Sequence, residues 1–301
     1  MTHLAFLING LRVNLSLLLK CPALPSGYLR MREALGNLHR SLRVALAAPL
    51  KPARWLFVVG CYNSGTTLLS AMLAEHPEIG SLPDEGQYLT RELICDYEIG
   101  VPRMWSKRED LFRWHAGYLG PDVERIRKEW GARINRRTAV VLEKTPANIA
   151  RMLWLQANFR DAYFVAIIRN GYAVAEGIRR KARIDGGGEI WAINDCARQW
   201  RRCVEVLEED KPAIEHIMEL RYEDFVAEPM AHLARIWAFV GVDPTFLPPD
   251  RPDWTIHERT ARVKDLNRES LDRLSLIDIE AIRREAGEAL TRYRYDSSQS
   301  G

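Results

Sequence analysis

One stretch restricts the fold more than any other: Trp55-Leu56-Phe57-Val58-Val59-Gly60-Cys61-Tyr62-Asn63-Ser64-Gly65-Thr66-Thr67-Leu68-Leu69. Its apolar start, rich in aromatic and β-branched residues, stops at Gly60 and predicts a buried strand. Gly65 and two threonines then open a segment with helical apolar spacing through Leu68, Leu69, Met72 and Leu73. A strand, a tight glycine loop and a helix start in that order make an anion site. The first N–H groups of a helix are unpaired, the helix dipole favours negative charge there, and glycines let the backbone close around the ligand. The Gly60-to-Gly65 spacing copies the first two glycines of a Walker loop, but Thr66 stands where that loop needs lysine. The stretch predicts a phosphate loop of a kind other than the ATPase one.

Further strands over 79–82, 139–142, 163–168 and 214–220 alternate with helices over 148–158, 172–181, 190–209, 225–240 and 277–293. Such alternation predicts an α/β fold: a P-loop-type parallel sheet with helices on both faces. Residues 87–137 read as a largely helical lid or acceptor-binding subregion. Its Trp105, Trp114, Tyr118 and Trp130 either stack on a ligand ring or bury the helices against the sheet, and burial is the weightier reading. Ahead of the sheet, helices over 4–19 and 29–47 form an N-terminal helical extension, so the expected division is 1–52 and 53–301. The first helix carries Leu4, Leu7, Ile8, Leu11, Leu15 and Leu18 on one face but is interrupted by Asn9, Arg12 and Asn14. That is too polar for a membrane span. Docking on the domain is expected, with a subunit or peripheral membrane contact as the alternative.

At 301 residues and 47% hydrophobic, the chain can bury a full core. A formal net charge of +3 is too small to imply a nucleic-acid partner, so any cationic surface must be local. The five cysteines are odd in number and contain no Cys-x-x-Cys pair, which predicts neither a disulfide framework nor a metal site and suits a cytoplasmic protein.

Ligands of open α/β sheets bind beyond the carboxyl ends of the strands. Polar groups gather at three such ends here: the Gly60–Thr67 loop, Glu143-Lys144-Thr145, and Arg169-Asn170. A lysine and an arginine beside a phosphate loop make a cationic bowl.

Those segments, with His76-Pro77, Glu143-Lys144-Thr145-Pro146, Ile167-Ile168-Arg169-Asn170 and Arg221-Tyr222-Glu223-Asp224-Phe225, resemble the sulfotransferase family that uses 3′-phosphoadenosine 5′-phosphosulfate. The style is that of bacterial and tyrosylprotein-type members, and the likeness runs from Trp55 onward. It implies a transferase that moves a sulfuryl group to a hydroxyl acceptor, leaves adenosine 3′,5′-bisphosphate, and requires no metal. It implies that Asn63, Ser64, Gly65, Thr66 and Thr67 wrap the 5′-phosphosulfate, that Arg169 pairs with the 3′-phosphate, and that Tyr222 and Lys264 complete the cofactor site. Lys144 would neutralise charge on the transferring group. Glu85 would be the base, with Asp84 as the competing register. In a cytoplasmic chain the expected acceptor is a glycan, a lipid-linked hydroxyl or a small-molecule alcohol.

Two residues depart from the pattern. Asn63 stands where the family usually has lysine or arginine, and Gly177 where a serine often holds the 3′-phosphate; Arg179, Arg180 and Lys181 lie close enough in sequence to substitute. These departures motivate one alternative, a nucleotide-binding protein with impaired catalysis. A P-loop kinase is the other.

Overall fold

The computed structural model describes residues 44, 46–134, 137–185, 191–247, 254–256, 259–261 and 263–295. The chain divides into two units, Met1–Ala47 and Ala48–Gly301. The expected helix over 4–19, and nearly all of that over 29–47, lie outside the described residues. Residues 48–52 belong to the second unit, where Leu50 N–H donates to Arg127 O at 3.0 Å and Arg137 donates to Ala48 O at 2.9 Å.

Five strands make the central sheet: β1 (Arg54–Gly60), β2 (Ile79–Ser81), β3 (Val140–Lys144), β4 (Ala162–Ile168) and β5 (Ile217–Arg221). Their order is β2-β3-β1-β4-β5, and every neighbouring pair is parallel. Parallel strands buried on both faces need continuous apolar runs, and Trp55 through Val59 supply one. Side chains alternate between faces. Trp55, Phe57, Val59, Phe164 and Ala166 enter one core, while Leu56, Val58, Val165 and Ile167 enter the other.

The second core is closed by α1 (Thr66–Leu73), which follows β1 directly, and by a helix over Pro229–Phe239 on the same face. On the first face lie α2 (Val123–Gly131), α3 (Met152–Asn158), α4 (Gly171–Asp185) and α5 (Ile193–Asp210). After β5 come α6 (Tyr222–Ala227), the helix just mentioned as α7 (Pro229–Phe239), α8 (Asn267–Leu271) and α9 (Leu276–Arg292). Strands β6 (Trp254–Ile256) and β7 (Arg259–Ala261) pair antiparallel. Under the first face Trp55, Phe57, Trp130 and Phe159 interlock with ring centroids 5.0–6.2 Å apart, each pair adding about 0.5–1.5 kcal/mol beyond the area buried. Among the described residues no helix is long and apolar enough to cross a membrane.

Three expectations need correction. Residues 87–137 are mostly turns and 3₁₀ segments, with α2 their one helix longer than four residues among those described. Pro102, Gly117, Gly120 and Pro121 interrupt the apolar pattern there. Trp105, Trp114 and Trp130 are buried in the first core, whereas Tyr118 stacks on Trp114 and is 44% exposed. The helix expected over 225–240 is two, since Pro229 cannot donate to the turn before it and starts α7 instead. The helix expected from 148 begins as a 3₁₀ segment over Pro146–Arg151.

The start of α9 is tied to α4. Ser275 and Asp278 form a capping box, and Asp278 takes both terminal nitrogens of Arg179 at 2.6 and 3.2 Å. The Arg179 bonds, helped by Ser275, hold the Asp278 carboxyl down to about 2. A depressed carboxylate stabilises the fold above the ordinary range near pH 4 and loses that contribution as pH falls towards its folded value. Asp278→Asn should therefore lower the urea midpoint at pH 7. The gap to the parent should narrow as unfolding curves are recorded from about pH 4 down towards pH 3.

Candidate functional site

The topology puts β1 between β3 and β4, so the loop leaving β1 sits between whatever leaves its neighbours. Val58 pairs with Lys144 and Gly60 with Ile167, which places Lys144 on one flank of the loop and Arg169 on the other. Two glycines make the turn sterically feasible. A Cβ on Gly60 would lie 2.5 Å from Ile167 O, and one on Gly65 2.7 Å from the Tyr222 ring. Gly65 also has φ +95°, a left-handed conformation that costs glycine little. As the N-cap of α1 it offers no side chain to the first N–H groups. Beside it Ser64 Oγ and Asn63 Nδ2 are buried without partners. This is a concentration of unsatisfied donors at the positive end of a helix.

On the β4 flank Arg169 is buried and held from three sides. Its Nη1 donates to Asn63 O at 2.8 Å, its Nε donates to Asn267 Oδ1 at 2.8 Å, and its guanidinium lies 4.4 Å from the Tyr222 ring centroid. Nη2 has no partner. Asn267 is in turn fixed by Glu223, which accepts its Nδ2 at 2.7 Å, the Asn170 N–H at 3.0 Å and the Tyr295 hydroxyl at 2.7 Å. Tyr222 donates to Lys264 O at 3.1 Å, tying the 264–267 segment over the site.

On the β3 flank Lys144 Nζ donates to Glu85 Oε1 at 2.7 Å, both side chains being mostly buried. Gln87 Nε2 donates to the other oxygen of Glu85 at 2.9 Å. Asp84 is exposed and its Oδ1 accepts the Glu85 N–H. Of the two carboxylates, Glu85 is the one that meets the lysine beside the loop.

The other expected residues fall differently. Lys264 pairs with Glu269 at 2.7 Å and its side chain is 61% exposed, so its backbone, not its ammonium, approaches the site. Arg179 is committed to Asp278 and Arg180 to Glu176, so neither substitutes for the serine absent at 177. His76 is a structural pin: its Nδ1 accepts the Glu78 N–H, its Nε2 meets Asp243 O at 3.1 Å, and it packs against Trp237 and Phe246. Accepting at Nδ1 leaves the proton on Nε2.

Asn63 and Gly177, separate departures in the sequence, meet in space. Asn63 has φ +63°, which turns its side chain down onto α4, where a Cβ on Gly177 would lie 3.1 Å from both Asn63 Cβ and Cγ. Gly177 is the gap that Asn63 fills. The two departures are therefore one structural feature.

Sequence reasoning missed Asn267, which is 98 residues from its partner Arg169. It also gave Glu143, Gln87 and Glu223 no role. Glu143 and Glu223 stand within the quoted motifs, and Asn267 lies three residues after Lys264, an expected cofactor residue, so their neighbourhood was the available signal.

Comparison with known proteins follows the same outline. The chain matches the sulfotransferase family over residues 56–246. Protein-tyrosine sulfotransferase 1 of Danio rerio is 26% identical over 226 residues, covering 71% of this chain and 61% of the relative. Protein-tyrosine sulfotransferase A of Caenorhabditis elegans is 25% identical over 231 residues, 73% of this chain and 57% of the relative. The chain thus spans little more than half the length of these curated relatives. Among solved structures, a sulfotransferase of Mycobacterium tuberculosis superposes with a TM-score of 0.54 at 17% identity, over 81% of this chain and 78% of that one. The sulfotransferase domain of a Synechococcus olefin synthase does so with a TM-score of 0.50 at 18% identity, over 82% and 96%. At these identities the likeness is one of fold.

The contact between residues 63 and 177 can be tested directly. Gly177→Val should destabilise the protein by about 1–3 kcal/mol through overpacking. Adding Asn63→Gly, which removes the obstructing side chain, should recover much of that loss in urea unfolding. Strictly additive effects would show that the two residues do not touch.

Proposed function

Because the chain belongs to the sulfotransferase family, we propose that it transfers a sulfuryl group from 3′-phosphoadenosine 5′-phosphosulfate to a hydroxyl acceptor. The observation that carries this reading is the Glu85–Lys144 pair at 2.7 Å on one flank of the glycine loop, opposite Arg169 on the other. The donor fits the residues present. Ser64 Oγ and Arg169 Nη2 are buried, unpaired donors, and the uncapped start of α1 adds the backbone N–H groups of Thr66 and Thr67. A phosphosulfate and a 3′-phosphate supply the anionic oxygens such donors require.

When bound, the donor supplies a sulfuryl group activated by its bond to phosphate. The protein's part is alignment and charge, as in phosphoryl transfer. Glu85 takes the acceptor's proton as the acceptor oxygen bonds to sulfur and the sulfur–bridging-oxygen bond breaks. Lys144 compensates the negative charge that gathers on the bridging oxygen, which leaves with the bisphosphate. Arg169 holds the 3′-phosphate, and its anchoring to Asn63 O fixes the loop and the phosphate site to each other.

For the acceptor we favour a phenolic hydroxyl, tyrosine in a peptide, over the glycan, lipid-linked or small-molecule alcohol expected from the sequence. Two things support this: the curated relatives named above are protein-tyrosine sulfotransferases, and a carboxylate base paired with lysine suits a phenol of pKa about 10 better than an aliphatic alcohol. Labelled donor offered with a tyrosine peptide and with a simple sugar alcohol separates the two, and preferential labelling of the alcohol would overturn the phenol assignment.

Arg169→Ala should weaken binding of adenosine 3′,5′-bisphosphate by about 10- to 100-fold, the loss of a hydrogen-bonded charge, measured by calorimetry. Glu85→Gln should instead lower kcat by about 10²–10⁴ while binding is kept. Asp84→Asn should turn over like the parent. Magnesium-dependent binding of ATP in preference to the bisphosphate would favour the kinase reading.

A further inference from the structure

Strand β3 ends in two consecutive ionisable residues, and each grips one of two consecutive residues on the facing loop. Lys144 pairs with Glu85, and Glu143 Oε1 accepts the Gly86 N–H at 2.8 Å. Glu143 is completely buried and fully bonded. Thr145 Oγ1 donates to the same Oε1, and Asn148 Nδ2 donates to Oε2 at 2.7 Å. Gly86 is pinned from its other side as well, its carbonyl accepting Trp130 Nε1 at 3.0 Å. The fit is tight enough to require glycine, since a Cβ there would lie 2.6 Å from Trp130 Cζ2 and 2.7 Å from Glu143 Oε1.

A buried carboxylate this well solvated by donors still needs a counter-charge, because desolvation pushes its pKa up. Lys144, though bonded to Glu85, favours the charged form of Glu143 from one side. A second cation is Arg151, fully buried against Trp114 and Phe112 with ring centroids 4.9 and 5.6 Å away, and with Nε, Nη1 and Nη2 all unpartnered. Burial lowers it to about 10, so it stays charged at neutral pH, and Glu143 is the strongest of the charges attracting it. No bond joins the two directly, and a buried guanidinium with three unsatisfied nitrogens is where water bridges are expected.

We infer that Glu143 is the positioning residue of this site: through Gly86 it fixes the backbone that carries Glu85, so that the base meets Lys144 and the acceptor in one geometry. The inference rests on the reading of Glu85 as base. Glu143 touches neither donor nor acceptor. Its role is to remove the freedom of a loop whose other fixed points are Trp130 and the Lys144 ion pair. A glutamine in its place can keep its oxygen on the Gly86 N–H and the Thr145 hydroxyl while its amide donates to the unpartnered Oδ1 of a turned Asn148, so the variant that breaks the grip is Glu143→Leu, which offers no acceptor, and Glu143→Gln is the conservative rescue.

Two measurements on the full chain test this. The first needs no turnover: amide hydrogen exchange should show Gly86 strongly protected in the parent and in Glu143→Gln, and exchanging about 100-fold faster or more in Glu143→Leu, with β1 and β4 amides unchanged. Unchanged Gly86 protection overturns the inference. The second compares Glu85→Gln, Glu143→Leu and the double variant, with phosphosulfate donor and a tyrosine peptide as the probe. Glu143→Leu should lower kcat by about 10- to 100-fold, the cost of a misplaced catalytic group, with bisphosphate affinity unchanged. The double variant should be no slower than Glu85→Gln alone. Multiplied losses in the double variant would overturn the positioning role while leaving Glu85 as base. Parent-like turnover of Glu85→Gln would instead overturn the base assignment. Should Glu143→Leu fold poorly, Asn148→Ala loosens the same carboxylate more gently and should show the same pattern of exchange and kcat at smaller amplitude.

Discussion

The site depends first on how closely β4 approaches the end of β1. Gly60 lies against the Ile167 carbonyl with no room for a side chain, and that contact lets the loop fold back over the sheet edge instead of running past it. From there the parallel register does the rest. With β1 in the middle of the sheet, the residue that ends β3 and the residue that follows β4 must flank the loop, so Lys144 and Arg169 converge although they are far apart in the chain. No long-range electrostatic field is required, and the small net charge of the protein is consistent with that.

Around this frame the protein buries an unusual amount of charge. Arg169, Glu143 and Arg151 all lie inside the molecule, and each is handled differently. Arg169 is supported by neutral oxygens and an aromatic face, which leaves one nitrogen spare for an anion. Glu143 is saturated with donors and carries structure. Arg151 is unsatisfied, and its burial among aromatic rings makes sense as balance for the carboxylates near it. A satisfied buried charge is rigid, whereas an unpartnered one is costly.

The departures at Asn63 and Gly177 look, residue by residue, like two losses from a phosphate site. In three dimensions they are complementary, a larger side chain turned into the space a smaller one vacates. Arg169 bonds to the carbonyl of Asn63, so the loop keeps its tie to β4 through backbone at the residue where it departs from the family.

By itself the sequence determined the sheet, the glycine loop and the cations at the strand ends. All of these are local: an apolar run, a glycine spacing and a strand terminus are each set by neighbours in the chain. Only the tertiary structure decided that Glu85 rather than Asp84 faces Lys144, that Asn267 and Glu223 brace Arg169, and that the ammonium of Lys264 turns to Glu269. It also decided that residues 87–137 pack as turns around buried tryptophans, where periodicity suggested helices. Those outcomes depend on which side chains meet, most of them across tens of residues, and neither periodicity nor motif spacing carries that information.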